Sequence, residues 1–216
     1  MTPERYRTLV RVLEQRQPDL TLITDEVHKG RNLAALRRTC DALGVGDMHC
    51  VIAQGEEQKR FAGTTAGSHK YVQLHRYTSI EQAVDLVRSQ GMAVVAADLG
   101  DNAIDFQQFD FTRPVALMMG AEREGLSGKA RQLADHRVRI PMLGMVESFN
   151  VSVAFALLLM EASRQRRAAG LYDQPRLPPE QIRDKLFEWG YPKLARYYRG
   201  KGLPYPPLDE EGQLIY

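Results

Sequence analysis

Two cysteines in 216 residues leave no material for a disulfide framework, which excludes a small disulfide-stapled scaffold. Long apolar runs are missing too. The longest, Val151 to Met160, is about half of the roughly 20 residues a membrane-spanning helix requires, so no membrane partner is expected. The opening MTPERYRTLV carries charges where a signal peptide places its apolar core, which points to a cytoplasmic protein. The five histidines, His28, His49, His69, His75 and His136, pair with neither cysteine nor carboxylate at metal-ligand spacing. No structural metal is expected. Two nucleotide signatures are also missing: there is no G-x-G-x-x-G, and no glycine-rich loop ends in Gly-Lys-Ser/Thr.

What is present describes a soluble globular chain, 44% hydrophobic and 26% charged, long enough for one large domain or one domain with extensions. Net charge is +2, but it is uneven. Between Ser163 and Gly202 ten Lys/Arg face four Asp/Glu, a local +6, so the rest of the chain carries −4. Tyr197 and Tyr198 lie between Arg196 and Arg199. Cations interleaved with flat rings suit nucleic acid, where charge holds phosphates and rings stack on bases. A solvated helix face is the plainer reading of the same segment.

Periodicity supplies the architecture. Short strand-like runs occur at Asp19–Thr24, Met48–Ala53, Met92–Ala97, Val115–Gly120 and His136–Pro141. Helical patterns fall between them at Asn32–Leu43, Ser79–Gln90 and, more briefly, Ser127–Ala134. Such alternation indicates an α/β fold with a largely parallel sheet, in which ligands gather at the carboxyl ends of the strands. Residues 1–17 read as a charged amphipathic helix, residues 18–175 as the main domain, and residues 176–216 as a basic Pro- and Tyr-rich extension with short helices.

Three junctions concentrate polar chemistry. In the first, Val27–Gly44, Asn32 is a plausible N-cap, and Leu33, Leu36, Cys40 and Leu43 make one apolar stripe. Arg38 lies nearly opposite that stripe, aimed at solvent, a ligand or another subunit. The second is MMGAEREGLS, Met118–Ser127, where Gly120 and Gly125 permit a tight loop around Glu122. In the third, Glu147-Ser148-Phe149-Asn150 opens a core helix with more hydrogen-bonding capacity than capping needs. Either Ser148 or Asn150 caps it. Backbone amides there can also grip a polar ligand, with Ile140, Met142 and Phe149 as an apolar wall.

These junctions, in this order, resemble the three motifs of the SPOUT-class methyltransferases of the TrmH type, the tRNA (guanosine-2'-O-)-methyltransferases. They read Asn32 to Arg38 with RTCDALG, then GAEREG, then IPMLGMVESFNVSVA, and QRQPDL, DFTRP and EASRQRRAAGLYD extend the likeness. Two departures are modest: HKGRN where proline commonly follows the lysine, and Glu147-Ser-Phe-Asn where Gln-Ser-Leu-Asn is usual.

The resemblance implies a SPOUT fold with a deep C-terminal trefoil knot, and a homodimer built on the apolar face at the knot. It implies S-adenosyl-L-methionine as cofactor, enclosed near Ala97, Leu99, Gly120, Ile140, Met142 and Phe149. Asn32, Arg38, Glu122, Ser148 and Asn150 match the family's functional polar residues, and Arg38 would complete the partner's site. The partner is tRNA rather than DNA. Extensions at both ends favour guanosine 18 of the D-loop as target. A ribosomal RNA or wobble-nucleotide enzyme, or a catalytically idle RNA-binding protein, is the alternative.

Overall fold

Strands covered by helices on both faces carry near-continuous apolar runs. Of the two central strands here one does throughout, and the other interrupts its run with buried Thr21, Thr24 and Asp25. A computed structural model describes residues 1–27, 29–52, 70–100 and 102–215. In it β1 (Leu20–Asp25) and β6 (Val115–Met119) are buried at every position. They pair with each other in parallel, and β2 (Asp47–Val51), β3 (Gln73–Tyr77), β4 (Ala93–Ala97), β5 (Ile104–Asp105) and β7 (His136–Arg139) complete one sheet. Its order is β3-β2-β1-β6-β4-β7-β5, and every pairing is parallel. The mostly parallel α/β sheet expected from the alternation is present.

Alternate residues of each strand feed two cores. Leu20, Leu22, Leu117 and Met119 pack with Leu33, Leu36 and Cys40 of α2 (Gly30–Ala42) and Phe155, Leu158 and Ala162 of α5 (Val151–Ala168). Ile23, Ala116 and Met118 pack with Ala83, Val84 and Val87 of α3 (Ile80–Ser89) and Ala130 of α4 (Gly128–Leu133). Serines start the second pair: Ser79 and Ser127 each accept a bond from a backbone N–H three residues on.

All five strand-like runs of the sequence are strands within one or two residues, Ala53 excepted, which lies outside the described residues with His28 and His69. Two strands escaped the pattern. β3 reads QLHRY and lies at the edge, so it carries no apolar run, and β5 is two residues long. Among the described residues no helix is long and apolar enough to cross a membrane.

The chain divides into two compact units, Pro18–Ala169 and a second made of Met1–Gln17 with Gly170–Tyr216. The two ends, read separately above, thus belong to one body. In it α1 (Pro3–Glu14) buries Leu9 and Leu13 and packs against α6 (Pro179–Gly190), which leads to α7 (Pro192–Lys201). Phe187 of α6 is ringed by Tyr191, Tyr198 and Tyr205. At Gly212 a β-carbon would lie 2.6 Å from the Tyr6 ring, so only glycine fits.

One charge in the larger unit is wholly buried. Arg166 of α5 has no exposed surface, and its guanidinium donates to Asp19 Oδ1 at 2.7 Å and to the Phe111 and Arg113 carbonyls at 2.9 and 2.7 Å. The helix is thereby locked to the segments leading into β1 and β6. Arg166→Ala would take a buried charge partner from Asp19 and a donor from two carbonyls. A loss of about 3–5 kcal/mol is expected in urea unfolding, as for other buried pairs deprived of one partner.

A second polar group is buried at the sheet margin. His49 is 2% exposed, stacks on His75 at 5.0 Å and shares a 3.0 Å hydrogen bond with the Tyr77 hydroxyl, while His75 meets Asp47 at 2.7 Å. Burial first, and repulsion from His75 second, push the His49 pKa down to about 4. The unfolded chain takes up this proton near pH 6.5 and the native one only near 4, so the contribution is complete above about 6.5 and lost toward 4. Stability should fall by about 1.4 kcal/mol per pH unit across that window. Denaturant midpoints of His49→Gln should show a shallower slope there.

Candidate active site at the strand ends

The carboxyl ends of β4, β6 and β7 converge, and the segments leaving them enclose one cleft of about 200 Å³. Ala97 ends β4 and Leu99 follows it, Gly120 follows β6, Ile140 and Met142 follow β7, and Phe149 comes from the approach to α5. All six residues anticipated at a cofactor pocket line this cleft, joined by Glu122 and Ser148. Leu99 is 57% exposed and Phe149 40%, so its rim meets solvent.

The loop after β6 is tight for a steric reason. A β-carbon on Gly120 would sit 2.2 Å from the Gly125 carbonyl carbon, and Gly125 itself has φ +67°. Ala121 and Gly125 exchange backbone hydrogen bonds of 2.9 and 3.0 Å, closing the loop around Glu122. Buried Asp25, at the end of β1, accepts from the Ser127 amide at 2.7 Å and holds the loop's far side.

Glu122 is the centre of a polar cluster drawn from three distant segments. Its Oε2 is ion-paired with Lys29 and accepts from Asn32 Nδ2 at 3.4 Å. Its Oε1 accepts from Asn150 Nδ2 at 3.3 Å, and that same amide reaches Asn32 Oδ1 at 3.5 Å. The hydrogen bond from Lys29, then its charge, holds the Glu122 carboxyl below the usual carboxylate range. It is an anion at neutral pH and a poor proton acceptor.

The structure assigns the caps differently from the sequence. Asn32 is not an N-cap. The helix starts two residues earlier at Gly30, the Lys29 cap position has no side-chain bond, and Asn32 is buried in the first turn with its amide turned to Glu122 and Asn150. At the other helix the choice left open is settled: Asn150 Oδ1 accepts from the Ser152 amide at 3.0 Å. Ser148 is exposed on the cleft and makes no hydrogen bond among the described residues.

Arg38 stands apart from this group. Six residues beyond Asn32 on α2, it lies about 9 Å further along the helix axis. Its side chain is exposed, lines no part of the cleft and forms no ion pair or hydrogen bond among the described residues. Its neighbour Arg37 is spent internally, on the Val72 carbonyl at 3.0 Å.

Sequence reasoning missed two sets of residues. Lys29, the partner of Glu122, had no periodic or motif signal beyond its place before Gly30. Asp98, with a side chain 9% exposed, lies 3.5 Å from Arg131 and 3.9 Å from Arg137. Asp98 and Arg131 line the cleft, as do Arg123 and Arg139. The cleft thus combines apolar lining with charges of both signs, Arg131 paired with Asp98 and Arg123 and Arg139 beside them, and suits an apolar ligand that carries polar groups.

Sheet and cleft define an α/β protein with a candidate ligand site at the strand ends, beside a carboxylate and several arginines. The chain belongs to the SpoU rRNA methylase family, whose model matches residues 19–160, and the SpoU rRNA methylase C-terminal model matches residues 164–216. It is 44% identical over 216 residues to the tRNA (guanosine(18)-2'-O)-methyltransferase of Escherichia coli strain K12, covering 99% of this chain and 94% of that one. The crystal structure of the A. aeolicus TrmH/SpoU tRNA modifying enzyme matches with a TM-score of 0.81 and 38% identity, over 88% of this chain and 97% of that chain. The SpoU methyltransferase AviRb from Streptomyces viridochromogenes, in complex with AdoMet, matches with a TM-score of 0.61 and 29% identity, over 72% of this chain and 62% of that one.

Asn150 has two duties, one at its helix and one at Glu122, and truncating it separates them. Asn150→Ala should lower unfolding free energy by about 0.5–2 kcal/mol through loss of the cap. Thermal melts test this. A melting temperature equal to that of the unaltered protein would show that another group caps α5.

Proposed function

We propose that this protein transfers a methyl group from S-adenosyl-L-methionine to the ribose 2'-oxygen of guanosine 18 in the D-loop of tRNA. The observation that carries the reading is the strand-end cleft joined to the Glu122 cluster, in a chain similar along nearly its whole length to a tRNA (guanosine(18)-2'-O)-methyltransferase. It acts in the cytoplasm, where tRNA is modified.

The cleft suits the cofactor. Ala97, Leu99, Gly120, Ile140, Met142 and Phe149 line the cleft and would hold the cofactor there against aliphatic and aromatic surface. Bound there, the cofactor supplies an electrophilic sulfonium methyl. The remaining work belongs to the chain. Lys29, Asn32 and Asn150 fix Glu122, and Glu122 braces the loop from Gly120 to Gly125 that forms one wall. Ser148, exposed beside Phe149 on the cleft, offers its hydroxyl to a bound ligand. Alignment of hydroxyl and methyl is what such rigid placement contributes to rate. The ribose hydroxyl is a very weak acid and needs help in losing its proton. Arg38 does not take it, because a guanidinium stays protonated in proteins. It orients an RNA phosphate and stabilises the developing alkoxide.

Arg38 cannot do this from outside its own cleft, so a second copy receives it. α5 supports a homodimer: Val153, Leu157 and Met160 form one helical stripe, 46%, 38% and 57% exposed, and Leu143, Met145 and Val146 are exposed nearby in sequence. Apolar surface of this kind marks an interaction site. In this reading the segment from β6 to α5 is a deep trefoil knot, supported by family membership, since strand order alone does not distinguish a knotted path.

Methyl transfer from labelled cofactor to tRNA transcripts tests the assignment. Label should map to the ribose of guanosine 18, and label on ribosomal RNA instead would defeat it. Arg38→Lys should lower turnover by roughly a hundredfold or more while cofactor affinity stays within a few-fold. Mixing Arg38→Lys with Asn150→Ala chains should restore about a quarter of full activity, because half the symmetric dimers become mixed and each mixed dimer holds one intact site. No recovery on mixing would place Arg38 in its own subunit's site.

A further inference from the structure

A carboxylate kept largely out of water is costly unless donors meet its oxygens. The segment that leaves β4 holds one with capacity to spare. Asp98 lies one residue past the strand, lines the cleft and has a side chain only 9% exposed. Its Oδ1 accepts from the Leu99 amide at 3.0 Å, and no other hydrogen bond reaches the carboxylate among the described residues.

Two guanidiniums stand near without closing on it. Arg131 Nε, from α4, is 3.5 Å from Oδ1, and Arg137 Nη1, from β7, is 3.9 Å from Oδ2. Both separations exceed hydrogen-bond length. Arg137 spends its Nη2 on the Arg131 carbonyl at 3.0 Å, which ties β7 to α4. The Arg131 side chain makes no hydrogen bond among the described residues, and it too lines the cleft. Glycine at position 100 leaves Oδ2 open on one side, since a β-carbon there would lie 3.5 Å from it.

An oxygen able to accept and a guanidinium able to donate are thus held side by side in the cleft. A ligand group that satisfies both must donate and accept at once, which a hydroxyl does. An ammonium only donates, and the two guanidiniums repel its charge. A purine amino group also only donates, and it leaves Arg131 unmet. Among the groups of S-adenosyl-L-methionine, the ribose hydroxyls fit.

We propose that Asp98 and Arg131 bind the ribose diol of the cofactor, Asp98 accepting from a hydroxyl and Arg131 donating to a hydroxyl oxygen. Arg137 steadies the carboxylate from behind. That the ligand is this cofactor rests on the function proposed above. The pair then decides which nucleoside the cleft accepts, because a ligand without the diol leaves a nearly buried charge unpartnered.

Titration calorimetry tests this without any turnover, using S-adenosylhomocysteine, its 2',3'-dideoxyadenosyl counterpart and its inosyl counterpart. The unaltered protein should bind the dideoxy compound roughly ten- to a hundredfold more weakly than S-adenosylhomocysteine. Asp98→Asn should lose a similar factor against S-adenosylhomocysteine and against the inosyl compound, and almost nothing further against the dideoxy compound. Arg131→Gln should show the same dependence on ligand with a smaller loss, roughly three- to tenfold.

Equal affinity of the unaltered protein for S-adenosylhomocysteine and the dideoxy compound overturns the proposal, whether or not Asp98→Asn folds. So does a loss in Asp98→Asn that is the same for both compounds, which marks a carboxylate acting only through the fold. If the inosyl compound alone is insensitive to Asp98→Asn, the carboxylate meets the purine and the assignment to ribose is wrong. Failure of the function has a different signature. A protein that binds S-adenosylhomocysteine through this pair, yet transfers no methyl group to tRNA, refutes the activity and sustains the site. One that gives no heat with S-adenosylhomocysteine refutes both.

Discussion

The Glu122 carboxylate is where three segments far apart in the chain are made to meet. Lys29 and Asn32 reach it from the start of α2, Asn150 from the start of α5, and its own loop is drawn tight by the Gly120–Gly125 contact. A carboxylate fits this duty because it accepts several bonds at once and repels none of its donors. The hydrogen bond from Lys29 lowers its proton affinity further. With three donors on two oxygens, the entrances of two helices are tied to the loop between them. A polar clamp thus adds to the apolar core in holding the cleft walls.

The arginines show how one side chain is put to opposite uses by its surroundings. Arg166 is buried completely and acts as a structural pin, satisfied by a carboxylate and several carbonyls. Arg37 is spent on a backbone carbonyl, and Arg38, one residue later on the same helix, is left uncommitted at the surface. A helix turns 100° per residue, so neighbours in sequence face different partners. The cations of α7 follow the same logic in the terminal unit, where Arg199 is tied down and Lys193, Arg196 and Lys201 are not.

Much of the scaffold was legible before any coordinates. β1, β2, β4 and β6 announce themselves because a parallel strand buried on both faces needs a near-continuous apolar run, while β7, HRVR, is partly exposed and shows only alternation. Edge strands escape that rule: β3 has one open flank and a polar sequence, and β5 is too short to show a period. The six residues expected around the cofactor line a single cleft because they follow the carboxyl ends of strands, where a parallel sheet gathers its loops.

Chemistry that depends on distance was not legible. Lys29 lies 93 residues from Glu122 in the chain, and no spacing pattern connects them. Asn32 has the composition of a cap and the position of a clamp, because the helix starts two residues before it and its amide reaches Glu122 and Asn150. Composition recorded a basic late segment, yet only packing separated the buried arginine from the exposed helix face. Periodicity and residue type belong to the chain itself, so they settled strands, helices and the order of the motifs. Which polar groups touch, and which charges remain free, follows from long-range packing, and that was decided when the folded chain brought its distant segments within hydrogen-bond reach.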